Sequence, residues 1–245
     1  LGVVYLHDLE VVHLNFLRKL RARPPRHLGQ GLDVPRHFVT TQPARGEHKY
    51  FKKYFQDSIF LSKDQIRAYA IKKALEKHKS NLSYLEFGVF KGKTINLFSK
   101  ILKKYKAKIY GFDSFEGLNE DWVGTRMTKK FFSNNGKIPS VHKNCFLIKG
   151  RVQDTLDSFL KKNKNLKINF LHMDLDTYPS TKYVLKKIKK KLANNAIILF
   201  DELYNMEGWR VGEFKALTEE FKKKEYKYLA FSSDREQVVI QYKSK

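Results

Sequence analysis

The chain of 245 residues has one cysteine, three methionines and two tryptophans, and its six prolines are unevenly spread. With Cys145 alone, no internal disulfide can form, and no Cys/His cluster has the spacing of zinc ligands. A reducing, cytoplasmic compartment is therefore expected. No apolar run approaches the ~18 residues that would span a bilayer. The opening stretch carries Asp8 and Glu10 where a signal peptide would be uncharged. The chain starts at Leu1 rather than Met, so a missing start is expected.

Acidic residues are scarce as well: 25 Asp and Glu stand against 49 Lys and Arg, a net charge of +24. Such a field attracts polyanions. The lysines nevertheless fall where helices face water. In TKYVLKKIKKKL the apolar stripe is Val184, Leu185, Ile188 and Leu192, and the lysines lie mostly off it. A nucleic-acid partner is accordingly not expected.

Basic residue usage divides the chain. Residues 1–47 hold six Arg and one Lys, and residues 48–245 hold five Arg and 37 Lys. Pro24, Pro25, Pro35 and Pro43 fall in the first part, which reads as an N-terminal arm or leader without a packed core. The folded domain is expected over 48–245.

From there the pattern is regular. Ser62 to Gln65 has the form of a capping box and opens a helix to about Lys77. Strands follow at 82–88, 108–113, 145–150, 167–174 and 196–201, alternating with helices at 93–105, 154–162, 180–192 and 210–224. Tyr226–Phe231 and Gln237–Tyr242, joined by a short polar turn, form a terminal hairpin. The alternation predicts an α/β fold: a mostly parallel, seven-stranded sheet, helices on both faces and a C-terminal antiparallel hairpin.

In such a sheet ligands sit outside the carboxyl ends of the strands, and four strand-like runs end there in acidic or glycine-rich residues. Gly88 and Gly92 permit close backbone approach to a ligand at a strand-to-helix junction. Asp113, 27 residues after Glu86, is placed to accept hydrogen bonds from the hydroxyls of a ribose. Asp174 and Asp201 end neighbouring strands, where converging carboxylates would repel without a hard divalent cation such as Mg2+. Asp176 has a second reading, the capping of the next helix, which it shares with Thr177. His172 reads as a core histidine and His142 as a more open candidate base. The long stretch from Gly117 to Ser140, with Trp122, Arg126 and Phe131, reads as a lid or binding loop.

Taken in order, LEFGVFKGKT, GFDSFEGL, KGRVQDTL, HMDLDTYPSTK, ILFDELY and GWRVGEFKAL resemble the class I S-adenosylmethionine-dependent methyltransferases, Rossmann-like in fold. Within that class they resemble the macrocin/mycinamicin sugar O-methyltransferases, TylF/MycF-like, over about residues 60–225. The resemblance implies that Glu86, Gly88 and Gly92 surround the methionine part of the cofactor, and that Ser114 and Phe115 flank the ribose-binding Asp113. It places Gln153 and Asp154 near the adenine and assigns Mg2+ to Asp174, Asp201 and Glu202. Glu202 stands where relatives usually have aspartate. The activity implied is Mg-assisted O-methylation of a hydroxyl on a sugar or small metabolite, with Asp174, Asp176 or His142 taking the proton. A homo-oligomer is also implied. The competing readings are a metal-dependent glycosyltransferase built on Asp174-Leu175-Asp176, and a basic RNA-binding module.

Overall fold

The computed structural model describes residues 47–76, 82–233 and 236–244; the expected arm before His48 lies almost wholly outside them. The elements run α1 (Glu47–Phe55), β1 (Ile59–Leu61), α2 (Lys63–Leu75), β2 (Leu82–Phe87), α3 (Lys93–Leu102), β3 (Ile109–Asp113) and β4 (Cys145–Lys149). They continue with α4 (Val152–Lys162), β5 (Lys167–Met173), α5 (Tyr178–Ile188), β6 (Leu192–Phe200), α6 (Glu213–Glu220), β7 (Tyr226–Ser232) and β8 (Val238–Tyr242).

One sheet orders these strands β1-β7-β8-β6-β5-β2-β3-β4. Only β8 runs antiparallel to its neighbours, inserted between β6 and β7. The chain winds outward from β2 through β3 to β4, then returns to place β5 on the other side of β2. The β2/β5 boundary is thus the topological switch point, where α/β sheets bind ligands.

The sheet has eight strands, not the expected seven. The addition is β1, an edge strand of three residues paired with β7, too short to show alternation in sequence. Strand β6 also begins earlier than expected, at Leu192, because Leu192 pairs with Ile168 across β5. The lysines 189–191 form a 3-10 turn instead of the end of a helix.

Helices cover both faces. Ile66, Ala70 and Ile71 of α2 and Ile95, Phe98 and Leu102 of α3 bury against one face with Tyr84, Phe170, Ile197 and Leu199. On the other face, Leu156, Val184, Leu185, Ile188, Ala216 and Leu217 from α4, α5 and α6 meet Leu85, Phe87, Leu171, Met173, Ile198 and Phe200. Alternation along β5 is broken by a register shift between Ile168 and Phe170, so Ile168 and Leu171 reach the same face. The side chain of Gln65 accepts the Ser62 N–H at 3.0 Å and fixes the start of α2.

Helix α1 is fastened by Phe51, which is fully buried and meets the rings of Tyr204, Trp209, Phe214, Tyr228 and Phe231 at centroid separations of 5.3–5.8 Å. Truncating it leaves a cavity that five rings cannot close. Phe51→Ala is expected to cost about 3–5 kcal/mol in urea unfolding; a loss below about 1 kcal/mol would show that α1 is not seated in this core.

Candidate active site

The sheet ladder continues one residue beyond the strand ends. Gly88 N–H donates to the Phe112 carbonyl at 2.9 Å, Asp174 N–H to Phe87 at 2.9 Å and Asp201 N–H to Met173 at 3.0 Å. Neighbouring parallel strands lie about 4.8 Å apart, so these tips form one continuous edge. A cavity of about 400 Å³ opens along it, lined among others by Gly88, Asp113, Ser114, Arg151, Val152, Asp174, Asp176, Asp201 and Glu202.

Gly88 is required by the closeness of β2 and β5. Its φ is +90°, and a Cβ there would stand 1.7 Å from the Asp174 carbonyl oxygen. Asp113 ties the other tips together: its Oδ2 accepts the Val89 and Phe90 amides at 2.8 and 2.7 Å, and its Oδ1 accepts the Phe115 amide at 2.6 Å. A carboxylate has about four acceptor positions. Three are filled, which leaves room for one more donor from the cavity.

The acidic residues divide into two kinds. Asp201 is compensated: Arg67 donates to Oδ1 at 3.1 Å, the Gln237 amide donates to the same atom, and Lys63 lies 3.6 Å from Oδ2. Burial raises its pKa, but His172, Arg67 and Lys63 together outweigh that and hold the carboxyl well below the usual carboxylate range. His172 is fully buried, with Asp201 at 3.5 Å and Glu86 at 3.8 Å. Burial opposes its charge, yet the two flanking acids lift its pKa to about 10.

Among the described residues Asp174, Asp176 and Glu202 have no such partners, and one oxygen from each lies within 4.8 Å of the others. Burial, then the nearby Asp201 charge, pushes Asp174 up to about 7. Burial and the Asp174 charge raise Asp176, and burial and the Asp201 charge raise Glu202. Behind them Glu213 accepts the Glu202 N–H at 3.0 Å and is raised by burial. Glu202 Oε2 and Glu213 Oε1 are buried without a hydrogen-bond partner among the described residues. Asp176 is held in the left-handed region at φ 61°. Thr177 occupies the N-cap position of α5, and no side-chain capping bond forms there, so helix capping does not consume Asp176.

Of the residues predicted to bind cofactor, Gly88, Asp113 and Ser114 line the cavity. Glu86 lies beneath it, fully buried, 3.8 Å from His172 and with neither carboxylate oxygen in a hydrogen bond among the described residues. Gly92 and Phe115 support the walls: Gly92 precedes α3, and Phe115 is buried in the core. Gln153 and Asp154 are exposed and sit outside the lining, although Gln153 donates to the cavity residue Ser180 at 3.2 Å. Arg151 and Val152 take the lining positions instead.

His142 is corrected as a candidate base. It sits ahead of Cys145 at the amino end of β4, the far end of the sheet, where its Nδ1 is 2.8 Å from Ser99 Oγ. The 117–140 loop is internally bonded, with Leu118 and Trp122 N–H groups donating to Phe131 and Met127 carbonyls at 3.0 and 2.9 Å. Trp122 and Phe132 line the cavity, whereas Phe131 is exposed and Arg126 stays outside the lining. The loop meets the segment after β6 at close backbone approach: a Cβ on Gly124 would lie 2.4 Å from Gly208 Cα, and one on Gly208 2.6 Å from the Val123 carbonyl oxygen.

Residues 85–203 match the model of a family described as a methyltransferase domain. Among solved structures, the calicheamicin methyltransferase CalS11 is 20% identical with a TM-score of 0.63, covering 89% of this chain and 100% of that one. An apo CalS11 structure, described as a TDP-rhamnose 3'-O-methyltransferase, is 18% identical at TM-score 0.55, covering 85% and 89%. The O-methyltransferase NovP is 19% identical at TM-score 0.54, covering 74% and 79%. At these identities the likeness is one of fold, that of the class I S-adenosylmethionine-dependent methyltransferases. A search of curated proteins returns no match. Among the described residues, no helix is long and apolar enough to cross a membrane.

Because the folded domain holds the Asp174 proton up to about pH 7, against an ordinary value of 3.8, repulsion in the cluster is absent below about pH 4, grows with pH and is complete above 7. Asp174→Asn relieves it. In chelator, the variant is expected to melt above the parent at pH 8, by about 2–4 °C per kcal/mol relieved, and to gain less at pH 5. An equal gain at both pH values would contradict the raised pKa.

Proposed function

We propose that the chain is an S-adenosylmethionine-dependent, Mg-assisted O-methyltransferase of a sugar or small-metabolite hydroxyl, close to the TylF/MycF-like group. The observation that carries this reading is the uncompensated set Asp174, Asp176 and Glu202 in a cavity of about 400 Å³ at the β2/β5 switch point. All three donors are carboxylate oxygens, which suits a hard cation. Asp201, paired with Arg67, Gln237 and Lys63, is the poorer ligand, and Asp176 replaces it in the set we assign.

The recess suits the cofactor residue by residue. Backbone at Gly88 admits close approach, Asp113 has acceptor capacity left for a ribose hydroxyl, and Phe112 and Val152 offer apolar surface to a planar base. When bound, S-adenosylmethionine supplies an electrophilic methyl group on its sulfonium sulfur. A divalent cation held by Asp174, Asp176 and Glu202 would lower the pKa of an acceptor hydroxyl.

The chain's own residues do the rest. Trp122, Met127 and Phe132 line the cavity from the loop and narrow its mouth beside the acceptor. Transfer requires the acceptor oxygen to stand in line with the methyl carbon at about 3 Å, and the internally bonded loop gives that alignment a fixed wall. The hydroxyl proton passes to Asp174, whose carboxylate stands in the acidic cluster on the cavity floor. Glu213 holds the Glu202 backbone, which keeps Glu202 facing its neighbours.

The test is methyl transfer from radiolabelled cofactor to a panel of glycosides and sugar nucleotides in Mg2+ or chelator. Asp174→Asn is expected to lower kcat by about 100-fold or more while S-adenosylhomocysteine affinity changes by no more than about threefold. Full activity in the variant, or in chelator, would sink the metal-assisted reading.

A further inference from the structure

The cavity floor is acidic, whereas the loop beside its entrance is mostly basic, with Asp121 accepting the Lys129 N–H at 2.8 Å. From Trp122 to Gln153 the chain has seven lysines and arginines and no carboxylate. Within this stretch Phe131 and Phe132 are 48% and 36% exposed, unusual for rings that could have been buried. They touch edge-to-face at 4.7 Å, and Phe132 meets Phe90 at 5.7 Å. Phe90 and Phe132 both line the cavity, so the aromatic run starts at its mouth and ends in solvent. Lys91 lies 5.0 Å above the Phe90 ring, and Lys129 and Lys130 directly precede the phenylalanine pair. All three lysines are exposed, and among the described residues none forms an ion pair.

The backbone bears a cost here. Lys130, Phe132 and Asn135 have φ values of 69°, 61° and 51°, three non-glycine residues in the left-handed region within six positions. Residues held this way cluster at ligand clamps. Hydrogen bonds from Lys130 N–H to the Leu118 carbonyl at 2.9 Å and from Leu118 N–H to Phe131 at 3.0 Å hold the turn in place.

A small neutral sugar seated beside the cofactor would leave this rim idle. We propose that the acceptor is an anionic conjugate, with its hydroxylated end inside and a phosphate-bearing group at the rim. The phosphate lies among Lys91, Lys129 and Lys130, and the adjoining apolar or aromatic part rests on Phe131 and Phe132. Lysine ammonium groups suit phosphate as point charges, and exposed rings beside them offer a stacking surface. This rests on the methyltransferase reading of the cavity. The phosphate belongs either to a nucleoside diphosphate or to a lipid headgroup.

The full chain, saturated with S-adenosylhomocysteine at physiological salt, is titrated with uridine diphosphate and with uridine. It is also titrated with phosphatidylcholine vesicles that do or do not contain phosphatidylglycerol. Either uridine diphosphate or the anionic vesicles are expected to bind at least about tenfold tighter than their neutral counterparts. Lys129→Gln with Lys130→Gln should lose most of that preference, and so should Phe131→Ser. Lys161→Gln with Lys162→Gln, on the exposed face of α4, should keep it. Binding of uridine diphosphate assigns a nucleotide carrier, and binding of vesicles alone assigns a lipid carrier. The proposal is overturned if neither binds, or if the α4 pair weakens binding as much as the rim pair, which would make the effect one of bulk charge. In both cases S-adenosylhomocysteine still binds. Its failure to bind any of the chains would overturn the methyltransferase reading, and the acceptor assignment with it.

Discussion

The Arg67–Asp201 ion pair sets the chemistry of the cavity, because it determines which carboxylates remain without compensation. Five acidic side chains, Asp174, Asp176, Asp201, Glu202 and Glu213, gather near the ends of β5 and β6. Water can barely screen charges placed there, so each must find a partner, take up a proton or share a cation. Arg67, Lys63 and Gln237 serve one of the five. The other four rise in pKa, chiefly by burial, and the Asp201 charge adds to the rise in each. A fold that compensated all five would have a rigid and inert floor.

That division also separates the two halves of the site. Toward β3 and β4 the cavity is shaped by backbone: Gly88 against the Asp174 carbonyl, and Asp113 gathering the amides of Val89, Phe90 and Phe115. Toward β6 it is shaped by charge. The switch point places the two side by side, and the loop from Gly117 contributes Gly117, Leu118, Trp122, Met127 and Phe132 to the same cavity. The outer rim reverses the sign again, with exposed lysines next to Phe131 and Phe132.

Much of this was legible in the sequence, for reasons that can be named. Residues at strand ends announce themselves: Gly88, Asp113, Asp174 and Asp201 each follow a strand-length apolar run, and strand order then brings them to one edge. What escaped notice depends on contacts between distant segments. Arg67 is one cation among 49, and nothing marks it as the partner of a residue 134 positions away. Gly124 and Gly208 look like ordinary turn glycines until their backbones meet. Strand β1 is three residues long, below the length at which alternation can be read, and the shift at Ile168–Phe170 disguises the alternation of β5. His142 drew notice because histidine can act as a base, yet a loop's direction decides which end of the sheet it reaches.

The most direct measurement is a calorimetric titration of the full chain with S-adenosylhomocysteine, without metal and then with Mg2+. The half of the cavity shaped by backbone predicts micromolar binding in both conditions, because Gly88, Asp113, Ser114 and Val152 make their contacts without the carboxylates of β5 and β6. No binding in either condition would contradict the assignment of this cavity to the methyl donor.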